Sequence, residues 1–433
     1  MTPDQPDSEG AAVTAHPAGI EGAGASAHPA GIEGAGASAH PPGRKRAALT
    51  LIVLTPVIAE LGLGSTPVHF AFLLLLWLPI YGFGVLLIRE AVRRVGGGWS
   101  SLVLLGVAYE LVEDGIGLQA LSSPHLYGAA QLAPRLFGLN TAYWEVNAIY
   151  HVVFSVLIPI ALTDLIFPAG RDRPYLRRGG LVGIGIGAVV GVGLLRVSVP
   201  PSQDPGYTAP LWLLLGCLSA VALLAVLALA VLPRLAAPRG AVPGASGSAR
   251  PGPDRAAQAG RPGSGDPMPG GRHGSGQAAP GGRPGQAEPA GRAGFGDADP
   301  AGRRGSDGAA GSVPRPWVAG AFGAAGTAAF LALWFVLQHG RGNGAWALVP
   351  MAAIGVLAAI AGWLVARWGR SAAWSDRHRI WLLAGALVTH SALGAVGVVH
   401  QPVDRVGLAL IAVLTAVLLA VLARRRPLPA GAA

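Results

Sequence analysis

Six acidic residues stand inside or at the ends of long apolar stretches of this sequence: Glu60, Glu110, Glu113, Asp114, Glu145 and Asp164. A charged side chain at the centre of a membrane helix costs roughly 2.5–3.5 kcal/mol even on the mildest insertion scale, so acids in such places point to function. Glu110, Glu113 and Asp114 are three and four residues apart, a spacing that places three carboxyls on one helix face. In a low dielectric the three cannot all be ionised; one must hold a proton, or a cation must lie among them. Further along, Trp144, Asn147, His151 and Ser155 recur at spacings of three and four and form a polar stripe. Pro56 removes the backbone bond to the Ile52 carbonyl one turn before Glu60.

At 1.5 Å of rise per residue, Glu60, Glu113 and His151 each fall roughly 20 Å from one membrane boundary. The expected site is therefore Glu110, Glu113, Asp114 and His151 as candidate catalytic groups, with Glu60, Asn147 and Ser155 lining a polar cavity. The chemistry open to them is water activation, proton relay, or a purely structural network of interhelical hydrogen bonds. A competing reading places Val112–Ser123 outside the membrane and leaves a short third span. Glu145, beside Tyr143 and Trp144, fits a solvated position in an interfacial aromatic belt. Asp164 fits an ion pair with Arg171 and Arg173, and Glu90 one with Arg93 and Arg94. His390, between Thr389 and Ser391, reads as a hydrogen-bonded interhelical histidine, and His69, His125, His339 and His400 lie towards the outer surface.

Ten apolar segments must position these groups: 48–63, 68–88, 99–121, 143–167, 181–198, 210–232, 317–338, 345–365, 380–399 and 406–422. Each approaches the ~20 residues a helix needs to cross about 30 Å of hydrocarbon, and none alternates with period two. The predicted fold is an all-α, polytopic transmembrane bundle of about ten helices with both termini cytoplasmic. With 52% apolar and 12% charged residues, against roughly 25% charged in soluble domains, an ordinary water-soluble globule is excluded. The single cysteine, Cys217, excludes an intramolecular disulfide framework and a Cys-rich metal site.

The net charge of +10 serves topology. With the N-terminus inside, short cytoplasmic flanks collect 17 Arg and Lys, including Arg44–Arg46, Arg89, Arg171 and Arg424–Arg426, while outer flanks hold 4. That asymmetry predicts a plasma-membrane protein whose partners are the bilayer and anionic lipid head groups at its Arg-rich face, with no nucleic acid. Residues 1–46, which repeat Ala-His-Pro-Ala-Gly-Ile-Glu-Gly-Ala-Gly-Ala-Ser from Ala15 and Ala27, read as a disordered tail. The membrane domain then runs over 47–232 and 317–423, interrupted by a Gly/Pro/Arg-rich loop at 233–316 and closed by a cytoplasmic tail at 424–433. Small residues at Gly183, Gly187 and Gly191, and at Ala319, Gly320, Gly323 and Ala324, predict close helix packing. No phosphate loop and no zinc-protease motif occurs; cofactor and metal are left open.

The block from Leu86 to Asp164 resembles an uncharacterised group of bacterial polytopic membrane proteins, through Leu87-Ile88-Arg89-Glu90, Gly98-Trp99, Gly106-x-Ala108-Tyr109 followed by Glu113-Asp114-Gly115, and the later Trp144 and His151. That resemblance implies location and no reaction. A looser similarity is to CAAX-protease and bacteriocin-processing intramembrane enzymes. It implies Glu113 and Asp114 as a water-activating pair and His151 as oxyanion stabiliser or metal ligand. Three readings follow: a membrane protein of unassigned or scaffold role, an intramembrane hydrolase, or a proton- or cation-coupled transporter.

Overall fold

The computed structural model describes residues 43–236, 313–339 and 344–426. Expectations for residues 1–42, 237–312, 340–343 and 427–433 lie outside the described residues. Long helices form all ten expected spans, and no β-strand occurs among the described residues. Helix α1 comprises Arg44–Pro56 and a continuing turn, Val57–Leu61; α2 is Val68–Arg94; α3 comprises Trp99–Glu110 and Leu111–Gly117; α4 is Thr141–Ile166. Then follow α5 (Arg178–Gln203), α6 (Leu211–Ala236), α7 (Pro316–His339), α8 (Ala345–Gly369), α9 (Asp376–Gly397) and α10 (Pro402–Arg424).

Eight of the ten, α2 and α4–α10, are long and apolar enough to cross a membrane. The other two, α1 and α3, are shorter, and their charges, Arg44, Lys45, Arg46 and Glu60 in one and Glu110, Glu113 and Asp114 in the other, leave neither a long charge-poor stretch. The acids sit in the two helices least able to pay for lipid exposure, so these helices must be shielded by neighbours. Much of their length is: Leu51, Ala59, Leu102, Leu105 and Tyr109 are buried, whereas α5, α6, α8 and α10 present wide apolar outer faces.

Side-chain contacts sort the helix ends into two layers. At one end Arg44 donates to Pro174 O, Arg89 to Asp164, Arg171 to Asp376, and Arg426 to Leu165 O. At the other end Ser123 meets Asp204, Asn140 holds the Ala120 and Ser123 carbonyls, and His69 meets Asp404. The helices therefore alternate in direction, and both ends of the described chain, Gly43 and Arg426, lie in the Arg-rich layer.

That layer is clamped from within the bundle. Arg89 is fully buried, lies 3.5 Å over the Tyr175 ring, and donates to Asp164 and to the carbonyls of Gly170, Arg171 and Arg173. Glu90 accepts the backbone N–H groups of Tyr175 and Leu176, and Arg94 completes it. The ion-pair partners of Asp164 are thus Arg89 and Arg93 on α2, rather than Arg171 and Arg173. The reason is that the segment after α4 turns its carbonyls, and not its arginines, towards the buried guanidinium. Arg171 reaches Asp376 instead.

Small residues work as packing surfaces where two backbones meet. A Cβ on Gly385 of α9 would collide with Gly320 O of α7, and one on Gly323 with Leu382 O. Gly187 and Gly191 of α5 take Phe83 and the Ile80 backbone of α2, while Gly183 faces open space and packs against nothing.

Candidate functional site

Four wide π-helical turns occupy the middle of the N-terminal bundle, one in each of α1–α4: Val57–Leu61, Leu78–Phe83, Leu111–Gly117 and His151–Leu157. Their backbone bonds span five residues, as in Gly62 N–H to Val57 O and Leu118 N–H to Glu113 O, both 2.8 Å. Such turns are rare and occur frequently at functional sites, because an extra residue in one turn re-aims the side chains around it. Glu60, Tyr81, Glu113, Asp114, His151 and Ser155 all lie in them. Proline helps to create the geometry: Pro56 frees the Ile52 carbonyl, and Gly82 of α2 packs so close that a Cβ there would stand 2.5 Å from that oxygen.

The centre of the site is one phenol. Tyr81 Oη lies 2.5 Å from Glu60 Oε1 and 2.5 Å from Glu113 Oε1. Glu60 Oε2 accepts from Thr66 Oγ1 at 2.7 Å. On the far side, Glu113 Oε2 is 3.5 Å from His151 Nδ1, which is itself 3.0 Å from Ser155 Oγ. Hydrogen bonds therefore link Thr66, Glu60, Tyr81 and Glu113, and separately His151 and Ser155, with a 3.5 Å gap between Glu113 and His151 that is not a hydrogen bond. Glu60 is partly exposed, whereas Tyr81, Glu113, His151 and Ser155 are buried. The aromatic rings of Tyr81 and Tyr109 flank the imidazole, with centroids 6.2 and 5.8 Å away.

Hydrogen-bond stoichiometry constrains this arrangement. A phenol has one proton to donate. It satisfies one carboxyl, so the contact with the other requires a carboxyl O–H donating back to the phenol oxygen. At least one proton is thus held between Glu60 and Glu113, and the two carboxyl oxygens facing Tyr81 are at most 5.0 Å apart by the sum of these contacts.

Glu110 and Asp114 do not join that chain. Glu110 Oε2 accepts from Trp144 Nε1 at 2.9 Å, and Asp114 Oδ1 from Tyr143 Oη at 3.3 Å. The three carboxyls expected on one face divide between two, because the π turn that begins at Leu111 widens the helix between Glu110 and Asp114. Asn147 also stays apart, its amide donating to Tyr143 O one turn back on its own helix. Glu113, Asp114 and Gln119 are all buried, so Val112–Ser123 packs inside the bundle rather than in external solvent. Glu145 is half-buried near Gly355 of α8.

Four carboxyl or phenol atoms at the site are buried without a hydrogen-bond partner: Glu110 Oε1, Glu113 Oε2, Asp114 Oδ2 and Tyr109 Oη. No trio of His, Cys, Asp and Glu side chains suited to a metal ion occurs among the described residues. Sequence reasoning missed Tyr81. Its only signal was position, at the level of Glu60 in the apolar first half of α2.

Residues 49–249 match the model of an uncharacterized membrane protein family. The chain is a multi-pass membrane protein. The matched segment contains all of α1–α6 except the first turn of α1, and so the whole carboxyl centre, while α7–α10 lie beyond it. No curated protein and no solved structure matches the chain.

Proposed function

We propose that this is a plasma-membrane protein with both termini cytoplasmic, whose α1–α4 bundle takes up and hands on a proton in support of proton-coupled solute transport. The carrying observation is the single phenolic proton of Tyr81 set between two carboxyls, Glu60 and Glu113, with an imidazole next in line. Glu60, partly exposed, is the entry point; His151 receives from Glu113. The Arg-rich layer faces the cytoplasm, where basic flanks are retained and anionic head groups lie.

Two features favour this reading over the others. A hydrolase of the acidic-pair type needs both acids on one water, and Glu113 and Asp114 point to different partners, Tyr81 and Tyr143. A structural network gains nothing from unpaired buried oxygens, since each costs roughly 1–3 kcal/mol, yet Glu110, Glu113 and Asp114 each keep one.

The test is proton flux into vesicles containing the purified protein and a trapped pH dye, under an imposed potential. Glu113→Gln keeps the shape and removes the exchangeable acid, so flux falls at least about tenfold while the protein stays folded, a barrier increase of about 1.4 kcal/mol or more. Wild-type flux equal to that of empty vesicles, or unchanged flux in the variant, overturns the proposal.

A further inference from the structure

His390 lies on α9, outside the segment matched by the family model, and is fully buried against α1 and α4. Its ring stacks on Phe154 at 4.3 Å, and a Cβ on Gly62 would stand 3.2 Å from its Nδ1, so the imidazole lies close against α1 where glycine leaves room for it. One turn later on α9, Gly394 is pressed against the Leu63 backbone.

The contact that matters is with Tyr150. Tyr150 Oη lies 2.6 Å from Ala59 O and 3.2 Å from His390 Nε2. A carbonyl oxygen cannot donate, so the one phenolic proton goes to Ala59. His390 must then supply the second bond as an Nε2–H donor, which fixes its tautomer and leaves Nδ1 bare, as its lack of any partner agrees. The Ala59 carbonyl belongs to the π turn that carries Glu60, and Tyr150 immediately precedes His151.

We propose that His390 is a positioning residue for the carboxyl centre: through Tyr150 it pins the Ala59–Glu60 turn of α1 to α4, and so lets the second group of helices set the Glu60–Glu113 separation. This rests on the proton-sharing reading given above. The titratable groups on the elements packed here are Glu60, Tyr81, Tyr109, Glu113, Tyr150 and His151. The residue acts through Tyr150 and backbone and touches neither carboxyl.

Infrared difference spectroscopy of the full-length protein in lipid, following the protonated-carboxyl stretch across a pH step, tests this. In the wild type, Glu60→Gln and Glu113→Gln each alter the same band, because the two carboxyls share a proton through Tyr81. In His390→Leu and in Tyr150→Phe the pair is decoupled, and each Gln substitution removes only its own band. His390→Gln, which keeps an N–H donor near the Nε2 position, restores the coupled band; a role in packing alone predicts equal defects in Leu and Gln variants. If the wild-type band ignores Glu60→Gln or Glu113→Gln, the shared proton itself is refuted. If that coupling is present and survives His390→Leu in a folded protein, only the role of His390 is refuted. Should His390→Leu fail to fold, Tyr150→Phe, which loses one hydroxyl and little volume, decides the matter by the same readout.

Discussion

Replacing Tyr81 with Phe removes one oxygen and leaves ring packing intact, so its cost isolates the hydroxyl. That hydroxyl touches Glu60 and Glu113 at 2.5 Å each. With one proton held by the pair, one contact is to an ionised carboxyl, worth roughly 1.5–3 kcal/mol, and the other is neutral, worth roughly 0.5–1.5 kcal/mol. The expected destabilisation is therefore about 2–4.5 kcal/mol, at the lower end if Thr66 and His151 take up the freed oxygens. Unfolding of purified protein in mixed detergent micelles measures it, read by tryptophan fluorescence. The decisive quantity is the coupling with Glu60→Gln in a double-mutant cycle, expected above about 1 kcal/mol because the two changes break one shared contact. A Tyr81→Phe cost below about 0.5 kcal/mol, additive with Glu60→Gln, would falsify the bridging role.

Arg89 donates to one carboxylate and three carbonyls that need its planar fork, so Arg89→Lys keeps the charge and still loses most of the clamp; a loss of about 3–5 kcal/mol is expected in the same unfolding assay. Gly385→Ala forces α9 away from Gly320 of α7 and should cost about 1–3 kcal/mol, whereas Gly326→Ala on α7 meets open space and should be neutral or stabilising by up to about 1 kcal/mol. Sidedness is tested in a Cys217→Ala background, where an impermeant thiol reagent applied to intact cells should label Ser202→Cys, and Asp172→Cys only after permeabilisation. Both positions are exposed, at opposite helix ends, and the reverse labelling pattern would invert the topology.

The spans were legible in the sequence because the need for about 20 apolar residues per crossing is a local, one-dimensional property. Alternation of direction was equally legible, since arginine clusters recur at every second helix end, and the structure gathers Arg44, Arg89, Arg171 and Arg426 in one layer. Helical rise alone put Glu60, Glu113 and His151 at a common level, and the structure brings Glu60 and Glu113 onto one phenol with His151 beside Glu113. What spacing could not supply was azimuth. Arithmetic with 3.6 residues per turn put Glu110, Glu113 and Asp114 together, yet the turn that separates them is π-helical and wider. Tyr81 was unreadable for a related reason: a lone tyrosine in an apolar helix acquires meaning only when two carboxyls from other helices arrive within hydrogen-bond reach. The chain by itself determined which segments enter the membrane and which acids they drag in, because hydrophobicity and charge belong to each residue. The tertiary structure alone decided which acids share a proton, because the width of a helical turn and the reach of a hydroxyl depend on the helices packed against them.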